Sequence, residues 1–190
     1  WVMLPIMDGF AKYLSAELPV LQITWARYFF TVVFIFPLML FFFKKYLVWT
    51  DKPKLQLIRG LILLTANICF FYSISVISLP EALTLAFVAP LVVTAFSPFF
   101  LGESVGYRRW AAVIIGFIGS LVVIRPGFLE INLASLAALG TGIMYGFYLI
   151  ITRKLSTSDN PLLTLLLTGV VGAIITTIFM PFVWVSPTFN

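Results

Sequence analysis

Residues 79–127 read LPEALTLAFVAPLVVTAFSPFFLGESVGYRRWAAVIIGFIGSLVVIRPG. Two apolar spans are joined there by a short polar connector, Gly102 to Arg109, which ends in two adjacent arginines. Pro90 and Pro98 in the first span, and Gly116 and Gly119 in the second, sit where a water-soluble helix would rarely keep them. Transmembrane helices tolerate both residue types. The stretch predicts an all-α, polytopic membrane protein whose helices pack closely and are interrupted.

Working outward, composition gives the same class. Hydrophobic residues make up 62% of the 190 and charged residues 10%, whereas soluble domains carry roughly a quarter of their residues charged. The expected solvent is the lipid bilayer, which each helix crosses with about 20 apolar residues. The net charge of +5 does not indicate nucleic acid, because the basic residues fall in short connectors between apolar spans. With one Cys and no His, a disulfide framework, a zinc site and a Ser-His-Asp or Cys-His enzyme are excluded. No cofactor or metal is expected. The chain opens on Trp1 inside an apolar run without a basic leader region, so it reads as a fragment of a longer protein rather than as a signal peptide.

Hydropathy windows place seven spans, near 1–14 (cut short), 20–43, 57–77, 82–101, 110–124, 133–151 and 162–182. The fifth is short and is expected to lengthen by taking in Arg108 and Arg109. Lys44, Lys45, Lys52, Lys54, Arg59, Arg108, Arg109, Arg153 and Lys154, nine of the 12 basic residues, fall on one side. The positive-inside bias makes that side cytoplasmic, with the chain's start, in a multi-pass protein expected in a bacterial inner membrane. Lys12 reads as a snorkelling interface residue.

The chain also echoes itself. Lys12-Tyr13-Leu14-Ser15 leads over a short loop to Pro19 and a span reaching Pro37, and Arg153-Lys154-Leu155-Ser156 leads to Pro161 and a span reaching Pro181. Span one thus pairs with span six, and span two with span seven. A repeat of five helices inserts with opposite topology the second time. The alternative is chance similarity between two hairpins.

Ala89-Pro90, Leu101-Gly102-Glu103, Arg109-Trp110, Gly116-Phe117-Ile118-Gly119 and Arg125-Pro126-Gly127, with QITWAR at 22–27, resemble the EamA family of the drug/metabolite transporter superfamily. The resemblance covers the whole chain. It implies ten helices in two inverted five-helix repeats around a central cavity, with transport of small metabolites or drugs by alternating access. On that template residues 1–127 are the first repeat, its first helix truncated. Residues 128–190 start the second, three helices being absent.

Several polar groups fall within the spans. Asp8 and Arg27 lie about 9 and 12 Å below the outer interface at 1.5 Å per residue, so they can meet at similar depth. A mid-membrane charge costs ~2.5–3.5 kcal/mol and is kept with a partner or a wet cavity. The pair reads as substrate-binding or proton-carrying, or else as a fixed ion pair. Pro90 frees a backbone carbonyl in span four, where Thr84, Phe87, Leu91, Thr94 and Pro98 share a helical face. Thr141, Tyr145, Tyr148 and Thr152 form a hydroxyl stripe on span six, and Asn67 and Tyr72 are similar candidates on span three. These residues read as the wall of a cavity, with packing as the alternative. Glu81 reads chiefly as a helix-start residue, and Glu103 with Arg109 as loop-ordering or gating groups. The small residues Ala112/Gly116/Ser120, Gly142/Gly146 and Gly169/Ala173 read as close-packing stripes.

The leading expectation is therefore a secondary transporter with a small-molecule substrate. Coupling is open, since Asp8 could carry a proton while exchange needs no titratable group. A homodimer is compatible with the sequence but not legible in it. A membrane enzyme acting on lipid would need clustered carboxylates or a His/Asp pair. The seven acidic residues are scattered, no two within eight positions of each other. A non-transporting scaffold is the third reading.

Overall fold

The computed structural model describes residues 3–15, 17–44, 50–124, 132–156 and 158–186. They form helices α1 (Met3–Leu14), α2 (Val20–Phe42), α3 (Pro53–Val76), α4 (Leu79–Ala86), α5 (Ala89–Leu101), α6 (Tyr107–Ile124), α7 (Leu133–Leu155) and α8 (Pro161–Val183). No strand occurs among the described residues, and the chain is a polytopic helical bundle. By length and composition, α2, α3, the joined stretch Leu79–Leu101, α7 and α8 can each cross a membrane. α3 starts four residues before the expected 57, because Pro53 is pre-set for the first helical turn. As expected, α6 takes in Arg108 and Arg109 and so reaches 18 residues.

Span four is two helices. The backbone of Phe87 and Val88 tightens into i→i−3 bonds (Phe87 N–H to Thr84 O, 3.1 Å; Val88 N–H to Leu85 O, 3.4 Å). Pro90 is the second residue of α5 and has no N–H to return to the Ala86 carbonyl. The break also offsets the two halves, so the face expected through Thr84, Phe87, Leu91, Thr94 and Pro98 does not survive. Thr84 and Thr94 are buried, while Phe87 and Pro98 are exposed. α7 closes directly onto the break: a Cβ on Gly142 would lie 2.6 Å from the Ala86 carbonyl oxygen, and one on Gly146 would lie 2.7 Å from Val92. α5 ends at Gly102, whose φ of 69° is the left-handed conformation that a C-terminal glycine supplies.

The principal packing is α3 along α7 and α2 along α8. Small residues again set the approach, with Gly169 against Thr31 and Val32, and Gly172 against the Tyr28 ring. Of the expected stripes, that on α6 meets nothing at Gly116. The side chain of Ser120 and the motif Arg125-Pro126-Gly127 lie outside the described residues. Lys12 does not snorkel. Its ammonium donates to the carbonyls of Ile74 and Ile77 (3.0 Å to the latter), filling acceptors that the end of α3 leaves open. Ser73 donates to the Ala134 carbonyl (2.9 Å) and ties the same end of α3 to the start of α7.

Candidate functional site: a polar layer inside the bundle

Arg27 lies two turns into α2, half-buried, on the wall of a cavity of about 910 Å³ between α1 and α2. Met7, Phe10, Phe30 and Phe71 make that wall largely apolar, and Arg27 is the one charged side chain on it among the described residues. The guanidinium sits 5.9 Å from the centre of the Phe71 ring, where the ring quadrupole favours a cation. Asp8, half-buried on α1 beside Met7, is within the electrostatic reach of Arg27. The two do not close into an ion pair. The hydroxyls of Tyr28 and Tyr145 lie within the electrostatic reach of the same guanidinium.

Beside Arg27, Tyr28 is 3% exposed and accepts a hydrogen bond from Asn67 Nδ2 at 2.5 Å. Across the layer, Tyr145 and Tyr148 are stacked, with ring centres 5.5 Å apart and planes 24° from parallel. Tyr148 leads to Arg59, which the sequence places at the start of span three and counts only towards the basic side. Arg59 is 3% exposed. It donates to Thr152 Oγ1 (2.7 Å), Thr168 Oγ1 (2.6 Å), the Thr164 carbonyl (3.0 Å) and the Tyr148 hydroxyl (2.9 Å). Its guanidinium carbon lies 4.6 Å from the centre of the Tyr148 ring. Gln56 approaches with Oε1 at 3.5 Å, and its amide nitrogen donates to Asp159 Oδ2 at 2.6 Å. Thr50 donates to that same oxygen at 2.6 Å.

The expected site residues therefore divide. Asp8, Arg27, Asn67, Tyr145 and Tyr148 belong to one layer. Thr141 turns from it to the Ala66 carbonyl (3.2 Å). Thr84 and Thr94 are buried within the broken span, and Tyr72 is 37% exposed on the outer face of α3. Pro90 lines a separate cavity of about 280 Å³ against Ala112, Val113 and Gly116 of α6. Glu81 is a first-turn residue: its N–H donates to the N-cap Ser78 Oγ at 3.4 Å, and that hydroxyl meets its carboxylate at 3.4 Å. Glu103 pairs with Arg153 at 2.6 Å, and Arg109 is exposed in the first turn of α6. A sequence signal for Arg59 does exist. Gln56/Arg59, Tyr148/Thr152 and Thr164/Thr168 are polar pairs at helical spacing on three different helices.

The sequence model of the EamA-like transporter family matches residues 6–125, from α1 through α6. The chain belongs to the EamA-like transporter family. It is 25% identical to the S-adenosylmethionine uptake transporter of Rickettsia bellii over 181 residues, 95% of this chain and 62% of that protein. It is 36% identical to the riboflavin transporter of Vibrio cholerae over 81 residues, 43% of this chain and 27% of that one. It is 28% identical to the pseudopaline exporter CntI of Pseudomonas aeruginosa over 123 residues, 64% of this chain and 42% of that one. The chain thus spans about 62% of the length of its Rickettsia relatives. No solved structure matches it.

Within this EamA chain, QITWAR combines two roles. Gln22 exchanges both side-chain hydrogen bonds with the Val185 backbone (2.9 and 3.1 Å), and Trp25 Nε1 donates to Thr177 Oγ1 (2.9 Å). Those contacts fasten α2 to the far end of α8. Arg27 is then held against the cavity on a fixed helix.

Proposed function

We propose that this protein is an integral-membrane secondary transporter that moves a small metabolite by alternating access, with the polar layer around Arg27 as its substrate site. The observation that carries the reading is Arg27 itself. A guanidinium two turns into α2, on the wall of a large apolar cavity, with Asp8 near but no carboxylate in ion-pair contact among the described residues, is placed to take a ligand. Tyr145 offers a ring and a hydroxyl across the same layer. The relatives' names include both uptake and export, so membership does not fix direction. No reaction chemistry is assigned to the layer, and the reading is of a carrier rather than an enzyme.

Residues 1–127 would then be the first five-helix repeat and 128–190 the start of an inverted second one, within a ten-helix protein. The matched lengths of α2 and α8, 23 residues each with a late proline, support that division. The basic ends of the helices would face the cytoplasm of a bacterial cell, and Asp8 would carry a proton if transport is proton-coupled.

The test is counterflow in proteoliposomes bearing the full-length protein, with a metabolite panel that includes S-adenosylmethionine and riboflavin. At least one compound should exchange, and Arg27→Gln and Asp8→Asn should each cut its rate about tenfold or more, the equivalent of 1.4 kcal/mol. Exchange that is indifferent to both substitutions would remove the layer from the mechanism. A well-folded protein that moves nothing would remove transport.

A further inference from the structure

Arg59 carries a second inference, which rests on the transporter reading. It lies six residues into α3 from Pro53, roughly 9 Å above the basic end of the bundle. A buried cation ordinarily keeps a carboxylate beside it. Arg59 instead spends its donors on neutral acceptors from α7 and α8, and no carboxylate lies within ion-pair distance among the described residues. The counter-charge stands at one remove. Asp159, in the α7–α8 connector and 8% exposed, is reached through the Gln56 amide and is also fastened to Thr50, ahead of α3. One end of this chain of contacts is Tyr148, stacked on Tyr145 in the cavity layer. The other end is Thr50, ahead of α3, with Asp159, ahead of α8.

We propose that Arg59 is a positioning residue that couples the tyrosine pair of the site to closure of the cytoplasmic mouth. Neutral acceptors suit that task. Hydroxyls and a carbonyl can be exchanged for water when α3 parts from α8, whereas a direct carboxylate pair would resist separation. A guanidinium also holds several acceptors in one fixed plane, so a shift of the Tyr148 ring or hydroxyl is passed to Thr164, Thr168 and Gln56 together. Loosening Gln56 releases Asp159, and with it the start of α8 at the basic end.

The experiment reads closure without needing to know the cargo. Thr164, 5% exposed, is replaced by Cys in a full-length protein carrying Cys69→Ala and stripped of any further cysteine; the substitution keeps the carbonyl that Arg59 uses. A membrane-impermeant maleimide is applied to inside-out vesicles. Arg59→Gln should raise the labelling rate about tenfold or more, as expected for losing charge-assisted hydrogen bonds. Arg59→Lys, with the charge but not the fork, should fall between, and it serves if the Gln variant does not fold. Tyr148→Phe and Asp159→Asn should each accelerate labelling, and together by less than the product of their separate effects.

Labelling of Arg59→Gln and Arg59→Lys at the parental rate would overturn closure. Strict multiplicativity of the Tyr148 and Asp159 effects would overturn coupling. If these effects appear in a protein that exchanges no compound, the closure stands and the transporter reading alone fails.

Discussion

Tyr28 and Asn67 show how one hydrogen bond can be structural inside a site. Both are buried, at 3% and 7% exposure, and the Asn67 amide donates to the Tyr28 hydroxyl between α3 and α2. The ring is also clamped by Gly172 of α8. Tyr28→Phe leaves a buried amide without its acceptor, which costs about 1–3 kcal/mol. Asn67→Leu in the same protein removes the stranded group, so the double variant should recover part of that loss. Thermal unfolding of the four proteins in detergent measures the coupling, and strict additivity would show that the bond contributes nothing. A leucine is bulkier than the buried asparagine it replaces, so its neighbours must shift to seat it and recovery should be partial. Asn67 was legible as a buried polar group of span three, read as cavity wall with packing as the alternative, and the structure shows it bonded to a neighbouring helix. Its partner was not legible, since a tyrosine on α2 gives no sign of which helix it faces.

Among elements, the broken span is where sequence and structure part most clearly. Pro90 marks an interruption in the sequence, and an interruption is present. Its consequence depends on a second helix that the sequence of span four cannot show. Gly142 and Gly146 bring the α7 backbone against Ala86 and Val92, so the break is a seat for α7, and Pro90 itself faces α6. Gly146→Val would place its first carbon 2.7 Å from Val92, inside contact distance, and either α7 or α5 must move. Overpacking of that kind costs typically 1–3 kcal/mol. Gly116→Ala on α6, where a Cβ meets open space, should stay within about 0.5 kcal/mol of the parent. Equal unfolding temperatures for the two variants would mean that α7 does not rest on the break. Arg59 escaped the reading for a related reason. A basic residue near a basic connector is already accounted for by the positive-inside bias, and only the meeting of three helices shows that this cation is buried among hydroxyls.

At the scale of the whole molecule, orientation decides which mouth the Arg59 network closes. The end of the bundle that holds Glu103–Arg153 and the Thr50–Asp159 contact also carries eight of the described basic residues, Lys44, Lys52, Lys54, Arg59, Arg108, Arg109, Arg153 and Lys154. At the opposite end the sequence offers Lys12 and Arg125. Lys12 is moreover spent on the carbonyls at the end of α3, which leaves the opposite end still poorer in available positive charge. Lys and Arg near short connectors set topology because they resist translocation, so the basic end should lie in the cytoplasm. Single cysteines in a full-length protein carrying Cys69→Ala and stripped of any further cysteine test this directly. Ser104 and Ser156 are exposed at the basic end, and Glu17 and Ser186 are exposed at the other. An impermeant maleimide added to intact cells should label Glu17→Cys and Ser186→Cys, and should reach Ser104→Cys and Ser156→Cys only after the membrane is opened. The reverse pattern would invert the bundle. Arg59 would then guard the outer mouth, and the vesicles used to read its closure would have to be right-side-out.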